Sequence, residues 1–391
     1  MRFGLELPPQ IKVFGAFFIY SFCMGSLYPR LPAIQQAMGV GEGALGLALI
    51  GAALGTLISL TFAGPFIERI GYRKAVLTAL PLLSVCYAIA VWSPNPLSLF
   101  LLLIPVGVTI GVIEIILNLE ADRVEHAIGR RIMNRAHAFW SFGFFAAGLF
   151  GALMAQAAIS PQMHLALMIP IVLVATVVIL GRYQPAAHRT GGSTDVAPRF
   201  ARPTMAIIVL VCVCMSAMIM EGAGADWSAI YMRNIFASEP FWAGFAVALG
   251  AGTQAVARFF ADGFVERFNP VAVARTLLSI LGLGALLVFF ASESWMAYLG
   301  FGLMGIGTSA LFPLAMSAAA QRTDRPAAIN VAALAQISFV AFLLGPPLLG
   351  FVAEHFGIRW AFGVGVPLIV LGFVTAGALA PRVGTKPEIV R

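Results

Sequence analysis

The chain of 391 residues carries too few charges for a soluble protein of its length. Hydrophobic residues make up 60% of it and charged residues 10%, whereas a soluble globular domain has about 25% charged residues. This composition excludes a soluble enzyme, a disordered chain and a disulfide-stapled fold, and it indicates a protein whose solvent is lipid.

Long apolar runs follow one another along the whole chain. A helix needs about 20 mostly apolar residues to cross the hydrocarbon layer, whereas a transmembrane β-barrel would show alternating segments of about ten residues. We therefore predict an all-α integral membrane protein with twelve transmembrane helices. The predicted spans are 12–29, 43–66, 75–93, 96–119, 134–158, 162–181, 204–231, 241–264, 271–291, 294–320, 328–352 and 358–380.

Lysine and arginine are unevenly distributed among the predicted connections. With the N-terminus inside, twenty of the 24 basic residues fall on the inner side, and three fall on the outer side: Arg30, Arg233 and Arg359. Because cytoplasmic loops carry the positive excess, we expect a multi-pass protein of the cell inner membrane with both termini in the cytoplasm. Loop anchoring beside an anionic leaflet accounts for the net charge of +7 without a nucleic acid partner.

A polar segment divides the chain into two halves. Residues 183–203 are rich in proline, glycine and basic residues. We predict an N-terminal six-helix bundle at 1–182, a cytoplasmic linker at 183–203 and a C-terminal six-helix bundle at 204–391. Glu68-Arg69 recurs as Glu266-Arg267, 198 residues later. Such parallel repeats indicate two pseudo-symmetric bundles that rock about a midplane site, as in secondary transporters.

The connection after the second span carries a specific motif. The segment Gly64-Pro65-Phe66-Ile67-Glu68-Arg69-Ile70-Gly71-Tyr72-Arg73-Lys74 resembles the signature loop of the major facilitator superfamily (MFS), with glutamate where aspartate is usual. The resemblance implies an MFS fold that works without a partner protein, and we expect a monomer. The stretches around Glu221-Gly222, Asp226-Trp227 and Gly345-Pro346-Pro347 resemble a bacterial branch near the fucose permeases.

The same resemblance implies a cytoplasmic gate. Gly64 would allow helices to approach closely, Gly71 would permit the turn, and the charged cluster would latch the cytoplasmic helix ends. The expected gate residues are Gly64, Glu68, Arg69, Gly71, Arg73, Lys74, Asp122, Glu266 and Arg267.

Carboxylates inside the predicted spans are candidates for proton coupling. An ionised side chain in hydrocarbon costs at least about 2.5–3.5 kcal/mol, and no basic residue lies within eight positions of Glu114. Glu221 and Asp226 lie in the seventh span, about 140° apart on an ideal helix, so we do not expect them to share a face. His137 is a further candidate. A hydrogen-bonded structural role is the alternative for Glu114 and His137, and a position in the outer headgroup zone is the alternative for Asp226.

Other polar and aromatic residues are candidates for binding the substrate. Asn118 lies one turn from Glu114 on the same face, and Ser141 lies one turn from His137. The remaining candidates are Arg30, Trp140, Trp227 and Tyr231, for which snorkelling or packing is the alternative. Because Arg258 falls near the inner end of its span and no other arginine lies deep, strongly anionic substrates are disfavoured.

These residues predict a transporter and not an enzyme, with no cofactor and no metal site. We expect a small organic solute and protons as partners, with sugar-like symport as the first interpretation. Proton-driven export of lipophilic or drug-like compounds and a non-transporting membrane sensor are the alternatives. An intramembrane hydrolase is disfavoured because nothing supplies an oxyanion site beside Ser141 and His137.

Overall fold

The computed structural model describes residues 4–130, 132–186 and 201–380, and helices account for nearly all of these ranges. Two short 3-10 helices lie at Tyr28–Arg30 and Ala376–Leu379. The α-helices are α1 (Pro9–Gly25), α2 (Leu31–Met38), α3 (Glu42–Phe62), α4 (Gly64–Ile70), α5 (Tyr72–Ala90), α6 (Pro96–Ile128), α7 (Met133–Gln156), α8 (Pro161–Leu180), α9 (Met205–Phe236), α10 (Pro240–Phe268), α11 (Pro270–Phe290), α12 (Ser294–Thr308), α13 (Leu311–Ala320), α14 (Ala327–Phe356), α15 (Arg359–Gly363) and α16 (Gly365–Thr375).

Eleven segments in the described ranges are long and apolar enough to cross a membrane. Helix α10, with 29 residues, packs among them as the twelfth long helix of the predicted fold. It is less apolar than the others because its sequence includes Gln254 and Arg258. The prediction of an all-α membrane protein built from two six-helix bundles is confirmed, and the first span extends further than predicted, over Pro9–Met38.

The tenth predicted span is broken into α12 and α13 at Ser309 and Ala310. Pro313, in the first turn of α13, has no N–H to donate to the carbonyl four residues earlier, which is that of Ser309. The Arg258 side chain of α10 donates to this carbonyl instead, with 2.9 Å between Nε and O. The proline therefore creates an acceptor inside the bundle, and an arginine from the neighbouring helix occupies it.

Two connections at equivalent places in the halves have the same unusual backbone conformation. Gly71, between α4 and α5, has φ 84° and ψ 139°. Asn269, between α10 and α11 and 198 residues later, has φ 69° and ψ 154°. A positive φ favours glycine, which confirms the expected turn at Gly71. At Asn269 the side chain contributes by accepting from the Ala272 N–H at 3.0 Å.

The two halves are joined at the end of the bundle that contains α2, called the α2 end below. Helix α3 packs on α14, and α7 packs on α10. Hydrogen bonds across the halves at this end run from Arg233 Nη2 to Gln35 Oε1 (2.7 Å), from Asn234 Nδ2 to Glu42 Oε1 (3.0 Å), from the Gly43 N–H to Glu354 Oε2 (2.8 Å) and from the Phe241 N–H to Gln156 Oε1 (3.0 Å).

The opposite end, called the α4 end, contains the predicted gate. Within the described ranges, the hydrogen bonds that join the two halves lie at the α2 end or between Arg258 and Ser141. A Cβ on Gly64 would meet no atom within 4 Å. No neighbouring helix of the described chain contacts Gly64 in this conformation, and the close approach expected there stays a prediction for the state in which this end is closed.

The charged gate residues make local contacts in this conformation. Arg73 binds the end of α8, donating to the Gly181 and Tyr183 carbonyls at 2.7 and 2.8 Å. The Arg267 guanidinium lies 5.2 Å from the ring centroid of its neighbour Phe268. Lys74 and Asp122 are exposed. Glu68, Arg69 and Glu266 have no hydrogen bond or ion pair in the part of the chain that the structure describes. Within the described ranges, Glu68, Arg69 and Glu266 therefore form no latch in this conformation.

Candidate functional site

A pocket of about 100 Å³ lies between the two halves. From the N-terminal half its wall includes Met24 of α1, Tyr28 of the following 3-10 turn, and Trp140 and Phe144 of α7. From the C-terminal half it includes residues of α9, α10 and α12. Most of the wall is aromatic, aliphatic or thioether surface, and its uncharged polar groups include Gln254 and Thr308, which share a hydrogen bond of 3.1 Å.

Glu221 and Asp226 both face this pocket. They line it together although they are about 140° apart on an ideal helix, because the helix between them has almost no side-chain bulk. A Cβ on Gly222 or Gly224 would meet no atom within 4 Å, so the pocket extends around this side of α9. Asp226 is 8% exposed. Neither carboxylate has a hydrogen bond or ion pair within the described ranges.

Glu114 lies in a hydrogen-bonded network that joins α1, α6 and α7. Tyr20 Oη donates to Glu114 Oε1 at 2.9 Å, and Asn118 Nδ2 donates to Oε2 at 3.0 Å. Asn118 Oδ1 lies 3.2 Å from His137 Nε2, and Phe17 contacts the His137 ring edge to face at 5.1 Å. The expected placement of Glu114 and Asn118 on one face is thus present, and the structure adds His137 and Tyr20 to the pair.

Ser141 and Arg258 connect this network to the other half. Ser141 is fully buried one turn after His137 and donates to its carbonyl at 3.2 Å. Arg258 Nη1 donates to Ser141 Oγ at 3.2 Å across the interface. Arg258 lies one turn from Gln254, which lines the pocket. Arg258 therefore faces the interface between the halves and places a fixed positive charge there.

Three predicted binding residues lie in the packed core or at the α2 end and are not part of the pocket wall. Trp227 is fully buried where α9 crosses α14, and a Cβ on Gly350 would lie 3.1 Å from its ring. Tyr231 is also fully buried and donates to the Val288 carbonyl at 2.6 Å. Arg30 is 3% exposed and donates to the Gly151 and Ile159 carbonyls.

The sequence profile described as Major Facilitator Superfamily matches residues 13–225 and again residues 209–390. The chain belongs to the Major Facilitator Superfamily. The first match runs through the N-terminal half into α9 and the second begins within the same helix, so the profile matches the chain twice in succession, in line with the repeated turns at Gly71 and Asn269.

Relatives within the superfamily match over nearly the full length. An uncharacterised MFS-type transporter of Yersinia pestis is 27% identical over 379 residues, which is 95% of this chain and 96% of that protein. A crystal structure of the nucleoside transporter NupG matches with a TM-score of 0.75 at 12% identity, over 95% of this chain and 100% of NupG. The E. coli fucose:proton symporter FucP matches with a TM-score of 0.61 at 16% identity, over 95% and 98%.

Three residues that the structure of this MFS protein brings to the site were not predicted as site residues from the sequence. Tyr20 and Gln254 were not distinguished from other polar residues in the spans, and Arg258 was placed near the inner end. A signal was present for two of them. Gln254 and Arg258 are four residues apart and therefore share one face of α10, and a polar face within a long helix indicates an interior surface.

Proposed function

We propose that this protein is a proton-coupled secondary transporter of a small organic solute, working by alternating access in the cell inner membrane with both termini in the cytoplasm. The observation that supports it best is the Glu114 network. Within the described ranges, a carboxyl group deep in the membrane domain has hydrogen bonds only to uncharged partners, Tyr20 and Asn118. Such a group can be held in either protonation state, whereas an ion pair with a neighbouring cation would keep it ionised.

Opposing effects act on the Glu114 carboxyl group. Removal from water favours the neutral acid, and donated hydrogen bonds from Tyr20 and Asn118 favour the carboxylate. A small movement of α1 or α7 changes these hydrogen bonds and therefore the proton affinity. Arg258 contacts Ser141, one turn from His137, so rocking of one half against the other changes the field at the network. Proton release is thereby linked to the change of conformation.

The pocket wall bears on the class of solute. A sugar-like solute, our first interpretation, needs many hydrogen-bonding groups, and much of the wall here is apolar. The composition of the wall supports the alternative, a solute with apolar surface such as a lipophilic or drug-like compound. Import and export are both compatible with this arrangement.

Transport in proteoliposomes tests the proposal. Purified protein is reconstituted with the pH-sensitive dye pyranine inside the vesicles. Fucose, uridine and benzyltrimethylammonium are then added in turn, with and without an imposed pH gradient. We expect at least one of them to move protons at a rate that depends on the protein. If a solute crosses at the same rate with and without the gradient and moves no protons, coupling is refuted.

A disulfide at the α2 end is expected to stop transport. A Cβ on Gly43 would lie 3.8 Å from the Glu354 Cβ, which is the mean separation of about 3.8 Å in disulfides. Gly43→Cys with Glu354→Cys, in a background whose four native cysteines are replaced by alanine, should lose nearly all transport on oxidation and regain it on reduction. Loss of two free thiols verifies the bond, and Gly43→Cys alone is the control. Continued transport with the thiols fully paired would contradict opening at this end.

A further inference from the structure

The pocket has an unbalanced charge. Glu221 and Asp226 supply two carboxylates, and the wall contains no lysine, arginine or histidine. Asp226 is more than nine-tenths buried, faces the pocket, and has no hydrogen bond from any residue in the described ranges. A buried carboxylate without a donor or a cation is costly. Among the described residues of the wall, no side chain supplies the compensating positive charge.

The opposite wall is suited to an organic cation. Tyr28 and Phe144 have ring centroids 5.1 Å apart, and Trp140 stacks on Phe144 at 5.5 Å. The faces of aromatic rings attract cations, most strongly when water is excluded. Met24, Met220 and Met304 add polarizable thioether surface that adapts to varied shapes. Carboxylates on α9 thus face aromatic rings of the other half across a narrow space.

We propose that the substrate of this pocket is an organic cation, an ammonium or similar centre carried on an aromatic or aliphatic body. This inference rests on the proposed function and specifies its substrate class. The cationic centre is placed between the Asp226 and Glu221 carboxylates and the rings of Tyr28 and Trp140, and its apolar body contacts the methionines. Because the contacts come from both halves, binding bridges them.

Equilibrium binding to purified protein in detergent, without any gradient, tests the substrate class. The probes are three compounds of closely similar shape: benzyltrimethylammonium, its uncharged carbon isostere neopentylbenzene, and the anion phenylmethanesulfonate. Quenching of tryptophan fluorescence and thermal stabilisation report binding. We expect the cation to bind at least about tenfold more tightly than the isostere, and the anion to show no binding. Equal affinity for the cation and the isostere would overturn the proposal.

Charge-removing variants locate the site. Asp226→Asn and Glu221→Gln are each expected to weaken cation binding by at least about tenfold. Glu239→Gln, which alters an exposed carboxylate at the start of α10, should bind as wild type does. Unchanged cation affinity in the folded double variant would overturn the proposal, and the thermal midpoint without ligand verifies folding. Failure of proton coupling with intact cation binding would refute only the proposed function.

Discussion

Glu114→Gln is expected to abolish solute accumulation driven by a pH gradient while leaving solute exchange across the membrane in place. Glutamine keeps the size of the side chain and can still accept from Tyr20, but it can neither gain nor lose a proton. A coupled transporter then has no step at which the gradient acts. We expect the rate of gradient-driven transport to fall at least about a hundredfold, which corresponds to about 2.7 kcal/mol in free energy. The measurement is paired uptake and counterflow in proteoliposomes.

Counterflow distinguishes lost coupling from lost folding. A misfolded variant loses both activities, whereas an uncoupled one loses only the first. Glu293→Gln removes an exposed carboxylate that precedes α12 and has no hydrogen bond in the described ranges, so it should match wild type in both assays. Full gradient-driven accumulation by Glu114→Gln would show that Glu114 is not the coupling residue, and Asp226 and Glu221 would then be the candidates.

Gly107→Leu is expected to prevent folding of the N-terminal half. A Cβ on Gly107 would collide with the Ala52 carbonyl, and a Cβ on Gly55 would collide with the Ile104 carbonyl. These are backbone atoms in the middle of helices and cannot move aside as a flexible side chain can. Overpacking a core costs about 1–3 kcal/mol, and direct overlap with backbone places this variant at or above the upper figure. Detergent-extracted protein should be absent or aggregated.

A matched glycine variant isolates the role of packing. Gly345 lies within α14, and a Cβ there would meet no atom within 4 Å. Gly345→Ala should therefore give the wild-type yield, and its free energy of unfolding should stay within about 1 kcal/mol of wild type, since alanine is the better helix former. An unchanged thermal midpoint reports this. Fluorescence-detected size-exclusion chromatography of both variants measures whether each is monodisperse or aggregated. A monodisperse Gly107→Leu protein with unchanged thermal stability would show that α3 and α6 are not held by this contact.

The membrane spans and the repeat could be predicted because they depend on chain-local properties. Run length and charge are sufficient to find helices that cross a bilayer, and Gly71 needs only its own positive φ. The α3–α6 contact also had a local signal, because Gly51 and Gly55 contact α6, and Gly107 and Gly111 contact α3, each pair at the four-residue spacing typical of close membrane helices. That pattern was not used to predict the pair.

The composition of the site was harder to predict because it depends on how each helix is rotated about its axis. Asp226 and Trp227 are neighbours in sequence, yet the first lines the pocket and the second is buried against α14. Ideal helical angles also separated Glu221 from Asp226, since they take no account of a pocket that extends around a glycine-rich surface. The position of Arg258 could be predicted only together with that of Pro313, which lies three helices later in α13 and whose missing N–H leaves free the Ser309 carbonyl that Arg258 binds.

The empty space beside Gly64 makes this position tolerant of substitution by a larger residue. Some glycines contact a neighbouring helix in this conformation, as Gly148 contacts Ala248. A larger residue at such a position would displace the neighbour. A Cβ at Gly64 would meet no atom of the described residues within 4 Å, so a larger residue there leaves this conformation intact. It would obstruct only a conformation in which the α4 end is closed. A larger residue at position 64 is therefore expected to shift the conformational equilibrium. The protein still folds, but the conformation with the α4 end closed is less populated.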